Sequence, residues 1–181
     1  MNVVLSILVI AGLLFGGGAT VQAAQDDLPN EPLYAVKTWS EDISLKLQNN
    51  QEDLVERLME LVQVRVQEMV QLSENGGTIP DVVPLRLEQH LQQALQTCAN
   101  MDDPAMEQTL LRVRDRLQQQ DRDMQQLQLH TQDQLLTQTR AMIQERLRLV
   151  EEGLLNQEVF RERVQSGFRF GQDDDETTPP V

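Results

Sequence analysis

The feature that most constrains the fold is a long uninterrupted segment, from Ala105 to Glu152, which contains neither proline nor glycine. Both residue types interrupt helices. The preceding Asp102-Asp103-Pro104 has the composition of a capped helix start. The segment therefore predicts one long, coiled-coil-like helix from Asp103 to Leu155, of roughly 50 residues and about 75 Å.

Apolar side chains within this segment follow two heptad-like seams that are out of register with each other. The first seam comprises Leu110, Val113, Leu117, Met124 and Leu127, and the second comprises Leu136, Ile143, Leu147, Val150 and Leu154. The change of phase predicts a stutter, a bend or a break across His130 to Gln134. A helix that outruns its own bundle leaves an apolar seam uncovered, so a homodimer through residues 110–154 is an alternative way to cover it.

Composition and charge exclude several classes of protein. Aromatic residues make up only 3% of the 181 residues, which favours an aliphatic helical core over a β-sandwich or barrel. The formal net charge is -14, so the surface cannot neutralise phosphates and general nucleic-acid binding is not expected. A single cysteine excludes an intrachain disulfide framework.

Helix start and stop signals divide the rest of the chain. We predict a first helix from Pro32 to about Gln48, a second from Gln51 to Glu74, and a third from Pro84 to about Asn100. Asn156 is expected to cap a last short helix that ends at Gly167. With the long helix, these segments predict an all-α bundle of four or five helices.

The first helix has its own predicted cap and apolar face. Asn30 or Glu31 is expected to cap it, and Leu28 is expected to pack back onto Leu33 or Tyr34. Steps of three and four residues predict one apolar stripe along the helix. The stripe comprises Leu33, Val36, Trp39 or Ser40, Ile43 and Leu47.

The N-terminal segment is typical of an export signal. The first 24 residues carry no charged side chain, and their apolar core of about a dozen residues is shorter than a membrane span of ~20. Val21 and Ala23 are small residues suited to cleavage after Ala23, and an uncleaved anchor formed by residues 3–20 is the alternative. We expect an extracellular or periplasmic protein that contacts a membrane only if this segment is retained.

A short motif follows this segment and carries a family resemblance. Pro29, Pro32, Leu33, Tyr34, Val36 and Lys37 form the pattern Pro-x-x-Pro-Leu-Tyr-x-Val-Lys. Glu41 and an amphipathic helix with Arg57 and Arg65, ending at Asn75-Gly76, come after it. Together these features resemble the bacterial exported family DUF5667, a domain of unknown function. Ala35 departs from the pattern where the family often has a second proline.

The resemblance covers about residues 28–130. It implies an all-helical extracytoplasmic domain, sometimes attached to membrane proteins near sigma-factor regulation, and it brings no activity and no catalytic residues. The resulting division of the chain is a signal segment (1–23), the family domain (28–130), a helical extension that packs on it or projects from it (131–167) and a disordered acidic tail (168–181).

Two interpretations of the motif remain open. In the structural one, Pro32 presets the helical backbone, Leu33, Tyr34 and Val36 pin the helix start to the bundle, and Lys37 pairs with Glu41 one turn later. In the functional one, the motif is a partner-binding epitope close to the membrane. The structural interpretation is favoured, because amphipathic aromatic residues near helix starts usually pack.

Metal ligands are present but poorly spaced. His90, Cys98 and Met101 lie close in sequence, and further soft ligands are Met106, Met124, His130 and Met142. His90 and Cys98 are about 12 Å apart along a helix, too far to share one ion. We therefore expect no metal site and no cofactor. Cys98 is expected to be a small buried apolar side chain, and an intermolecular disulfide is the alternative. The acidic run 173–176 lacks the spacing of a calcium loop.

No catalytic motif is present in the sequence, and adjacent acidic pairs point to different faces of a helix. We therefore expect no catalytic residues. The expected function is that of a non-enzymatic structural or protein-interaction module outside the cytoplasm. Its protein partner is not identified, and both a membrane-associated and a free partner remain open. The alternative is an envelope stress or metal-responsive helical sensor that regulates a membrane partner.

Overall fold

The structure, a computed structural model, describes residues 27–130 and 134–167, apart from the side chains of residues 129 and 130. The described residues form helices and connections without a β-strand, so the predicted all-α class is confirmed. The helices are α1 (Tyr34–Lys46), α2 (Gln51–Glu74), α3 (Val82–Ala99), α4 (Asp103–His130), α5 (Gln134–Leu155) and α6 (Gln157–Gln165). The signal segment, the acidic tail and residues 131–133 lie outside the described residues.

Helices α2 to α5 form an up-down-up-down bundle. Three contacts between α2 and α4 keep a constant offset of 60 residues, which shows that these two helices run parallel: Glu52 with Arg112, Glu56 with Arg116, and Gln63 with Asp123. Helix α5 runs antiparallel to α4, because Gln144 contacts Asp121 whereas the earlier residue Arg140 contacts Gln128, which lies further along α4. Helix α6 packs across the end of the bundle against α3 and α5.

One continuous apolar core joins these helices. It includes all of the first predicted seam and the Leu136, Ile143 and Val150 positions of the second, while Leu147 and Leu154 pack at its margin. Phe160 of α6 is fully buried in the same core. Aliphatic side chains thus supply nearly all of the buried apolar surface, as the low aromatic content predicts.

The long helix expected from Asp103 to Leu155 is instead two helices, α4 and α5, that pack side by side. They end and begin on either side of the predicted change of phase. The physical reason is that a single straight helix would turn the second seam away from the first, whereas two antiparallel helices bury both seams in one core.

Local signals place the ends of several helices. Asn50 accepts a hydrogen bond from the backbone N–H of Asp53, and Asn156 does the same for Glu158 and Val159. Gly76, with a φ of +66°, follows α2 in the left-handed conformation that glycine adopts without a steric penalty. No helix within residues 27–130 and 134–167 is both long enough and apolar enough to cross a membrane.

Candidate functional site

The N-terminus of α1 is held by Asp27, and the predicted caps Asn30 and Glu31 do not perform this role. The Asp27 carboxylate accepts a hydrogen bond from the Leu33 backbone N–H at 3.0 Å. Glu31 instead accepts one from the Leu28 N–H at 2.6 Å, within the turn that precedes the helix. The carboxylate that caps the helix thus comes from Asp27, six residues before Leu33, and not from Asn30 or Glu31. This is possible because the intervening turn folds Asp27 back over the helix start.

The buried face of α1 is polar. Its buried residues are Tyr34, Lys37, Thr38 and Glu41. Lysine and glutamate are rarely buried unless they are paired. The partners of this face therefore decide how α1 is held on the bundle.

Those partners are Arg65 and Glu68 of α2. Lys37 Nζ lies 2.7 Å from Glu68 Oε1 and also donates to the Asp27 carbonyl oxygen at 3.1 Å. Arg65 is fully buried and donates to Tyr34 Oη at 2.6 Å and to the Glu41 carboxylate. We call these five residues, Tyr34, Lys37, Glu41, Arg65 and Glu68, the ion cluster.

The ion cluster carries two positive and two negative charges, so it is neutral as a whole. The pairing offsets much of the cost of removing four charges from water. It does not satisfy every group, because Glu41 Oε2 and Arg65 Nε have no hydrogen-bond partner among the described residues. Burial raises the pKa of Glu41, although the Arg65 charge opposes this shift, and burial also raises the pKa of Tyr34 to about 12.

The prediction that Lys37 pairs with Glu41 is wrong. Lys37 pairs with Glu68 and Glu41 pairs with Arg65, so both contacts join α1 to α2. A pair within one exposed helix contributes only a few tenths of a kcal/mol. The buried pairs between helices instead fix the position of α1 on the bundle, which supports the structural interpretation of the motif residues Tyr34 and Lys37.

The remaining motif residues surround this helix start. Leu33 and Val36 are partly buried, Pro29 is partly buried, and Pro32 is exposed in the turn. Of the three residues expected to pin the helix, Tyr34 is buried and the other two are partly buried. Arg65 and Glu68 were not identified as site residues from the sequence, although charged side chains next to Val62, Val66 and Met69 on an apolar face are a signal of buried pairing.

His90 of α3 lies close enough to Arg65 of the ion cluster to feel its charge. It is buried, and its Nδ1 has no hydrogen-bond partner among the described residues. Burial, reinforced by the positive charges of Arg65 and Arg86, lowers its pKa to about 4. His90 is therefore neutral at pH 7.

The apolar stripe predicted for α1 faces outward. Trp39 is 50% exposed and Leu47 is 69% exposed, while Val36 and Ile43 are partly buried. The ion cluster occupies the opposite side of the helix, so that side, and not the stripe, packs on the bundle. We call Val36, Trp39, Ile43 and Leu47 the outer stripe.

Helix α3 contacts α1 and also exposes apolar side chains. Arg86 of α3 donates to Asp42 of α1 at 3.3 Å, which brings the two helices together at that level. Val82 and Leu85, within about one turn of Arg86, are 39% and 52% exposed. An exposed apolar surface that includes a tryptophan is a recognised sign of an interaction site.

The candidate metal ligands are separated by the fold. Within residues 27–130 and 134–167, no three histidine, cysteine or acidic side chains are grouped to hold an ion. Met101, Met106 and Met124 are buried in the apolar core, and the side chain of His130 lies outside the described part of the chain. Cys98 is a buried free thiol whose pKa burial raises to about 12.

Comparison with known proteins identifies the family. The model of the family described as "Domain of unknown function (DUF5667)" matches residues 26–157, which extends beyond α4 into α5 and the start of α6. No curated protein and no solved structure matches the chain. Because the matched region is well over half of the 181 residues, the chain belongs to the DUF5667 family.

Proposed function

We propose that this protein is an exported, non-enzymatic helical module that binds a protein partner through the outer stripe of α1. The observation that carries the proposal is the orientation of α1, which buries charged side chains and leaves Trp39 and Leu47 exposed. Exposing this apolar surface while burying four charges is costly for an isolated domain. The arrangement is favourable if a partner covers the stripe.

The spacing of the outer stripe indicates the kind of partner. Its members follow one another at steps of three, four and four residues, the spacing of a seam between packed helices. A helical segment with its own apolar stripe is therefore the best fit. The short distance in sequence from the export segment to α1 supports a partner at the outer face of a membrane.

Export and the absence of catalysis belong to the same proposal. The uncharged N-terminal segment supports export, and the ion cluster supports a structural use of the family motif. The alternative of a metal-responsive sensor is favoured by none of the contacts described above.

The test is site-specific photo-crosslinking in the native host. A photoreactive phenylalanine analogue replaces Leu47 on the outer stripe or, as a matched control, Leu155, which is 90% exposed at the end of α5. We expect one discrete cross-linked protein from position 47, absent from position 155 and lost when Trp39→Ser is added. The same products from both positions, or none from position 47 in correctly exported protein, would refute the proposal.

A stability measurement completes the test. Because Trp39 and Leu47 are exposed, the double variant Trp39→Ser with Leu47→Ser should unfold within about 0.5 kcal/mol of the original protein. Loss of the cross-link then reports a lost contact with the partner. A large loss of stability would instead show that the stripe packs within the protein.

A further inference from the structure

A groove of about 930 Å³ lies between the C-terminal half of α2 and the facing part of α4. Gln63 and Gln67 line it, and each is two residues from Arg65, so they project from the opposite side of α2. The groove is therefore separate from both the ion cluster and the outer stripe. Its volume is within the range of sites that bind ligands or short peptide segments.

Amide side chains form one wall of the groove. Gln63, Gln67 and Gln71 are spaced at four residues along α2, or about 6 Å per step. Alternate residues of an extended peptide are about 6.7 Å apart. The Gln63 amide already donates to Asp123 at 3.3 Å. Gln67 and Gln71 each offer an amide donor and acceptor, so they can pair with successive peptide groups of an extended segment that runs along the groove.

The charged residues that line the groove are acidic. Asp123 of α4 and Glu74 of α2 contribute carboxylates, and no lysine or arginine is among the described lining residues. The offset of 60 residues places Asp123 level with Gln63. Glu74 is eleven residues further along α2, so the two carboxylates are separated by about 16 Å along the groove.

This separation fits two cationic side chains on one face of an extended segment. Residues four apart in such a segment are about 13 Å apart and point to the same side. The flexible stems of lysine or arginine can span the remaining distance. Between the carboxylates, Val66, Val70 and Leu127 form an apolar floor that can receive a small aliphatic side chain.

We infer that this groove binds an extended basic segment of about five residues from another protein chain, with cations at both ends and an aliphatic residue between them. The chain's own ends do not match this chemistry. Residues 168–181 contain four acidic residues and one arginine, and residues 1–24 contain no charged side chain. The net charge of -14 adds a long-range attraction for a basic partner.

The test is a binding titration with the full chain in a mild detergent. The probe is a dye-labelled, end-capped peptide of sequence Ala-Lys-Ala-Val-Ala-Lys-Ala, followed by fluorescence anisotropy. We expect saturable binding at concentrations on the order of 10 to 100 µM. A peptide with glutamate in place of both lysines should not bind.

Charge-neutralising variants locate the binding site. Asp123→Asn and Glu74→Gln should each weaken binding about fivefold, and together about 25-fold, because the two sites are too far apart to couple. Glu107→Gln is the matched control, since Glu107 is an exposed carboxylate on α4 outside the groove. It should leave the affinity unchanged.

Three results would overturn the inference. The first is the absence of saturable binding, and the second is unchanged affinity in the folded double variant. The third is equal competition by spermine, which would show that cationic charge is recognised without the peptide backbone. None of these results depends on the outer stripe, so they would leave the proposed function of α1 to be judged by its own test.

Discussion

Replacing Lys37 by methionine tests whether the ion cluster holds α1 on the bundle. Lys37 is 4% exposed, and its Nζ lies 2.7 Å from Glu68 Oε1. Methionine keeps most of the side-chain length and removes the charge. Breaking a buried ion pair typically costs 3–5 kcal/mol, because the other charge stays buried. Glu68 retains Arg65 at 3.3 Å, so we expect the lower end, about 3 kcal/mol.

The assay is urea unfolding of the purified protein, with Trp39 fluorescence and far-UV circular dichroism as signals. A loss of about 3 kcal/mol should lower the midpoint by roughly 1 to 3 M urea. The matched control is Arg163→Met. Arg163 also lies 2.7 Å from its partner, Glu152, but both side chains are nearly half exposed. That variant should lose less than about 1 kcal/mol.

A double variant isolates the pair itself. Lys37→Met combined with Glu68→Gln should cost less than the sum of the two single changes, by roughly 1–3 kcal/mol, because the unpaired carboxylate is removed. If Lys37→Met costs no more than Arg163→Met, the pair does not anchor α1. The reasoning that derives the position of α1 from buried charge would then be refuted.

Three further predictions concern other parts of the protein. Gly153→Ala should destabilise the protein by about 1–2 kcal/mol in thermal unfolding despite the better helix propensity of alanine, because the new Cβ would lie 2.9 Å from buried ring atoms of Phe160; a neutral or stabilising effect would show that the ring can move. The pKa of His90, lowered by burial to about 4, means that the unfolded state binds more protons between pH 6.5 and 4. Stability should therefore fall as the pH falls through that window, by about 3 kcal/mol more than in the His90→Gln variant. Urea midpoints that change equally with pH in the two proteins would contradict this. The raised pKa of Glu41 acts in the opposite sense, which is why the comparison uses a His90 variant. Cys98, buried and with its pKa raised to about 12, should resist a maleimide at pH 7 in the native protein and react completely in urea, so rapid native labelling would contradict its burial.

The sequence predicts most of the bundle because its helices carry local signals. The bounds of α2 agree with the prediction, since Asn50 caps its start and Gly76 follows its end. The first seam is buried throughout, because five aliphatic side chains on one face have no other favourable environment. The break between α4 and α5 falls at the predicted change of phase. The sequence pattern does not show that the two helices then pack side by side, because that packing depends on the rest of the core.

The candidate site could not be derived in the same way. The periodicity of α1 correctly places Val36, Trp39 and Ile43 on one side of a helix. It does not show which side is buried. The opposite side carries Lys37 and Glu41, which can be buried only because Glu68 and Arg65 pair with them. These partners are 24 to 34 residues away in sequence, beyond the reach of a local pattern. The groove likewise depends on the offset between α2 and α4.

Asp27 also determines how the protein would respond to mechanical tension. Its carboxylate receives the Leu33 N–H and its carbonyl oxygen receives Lys37 Nζ, so one residue connects the N-terminal chain to both the first turn of α1 and the ion cluster. A pulling force applied from the N-terminal side reaches these contacts before it reaches the apolar core. Helix α1 would therefore separate from α2, one ion pair at a time, before helices α2 to α5 unfold.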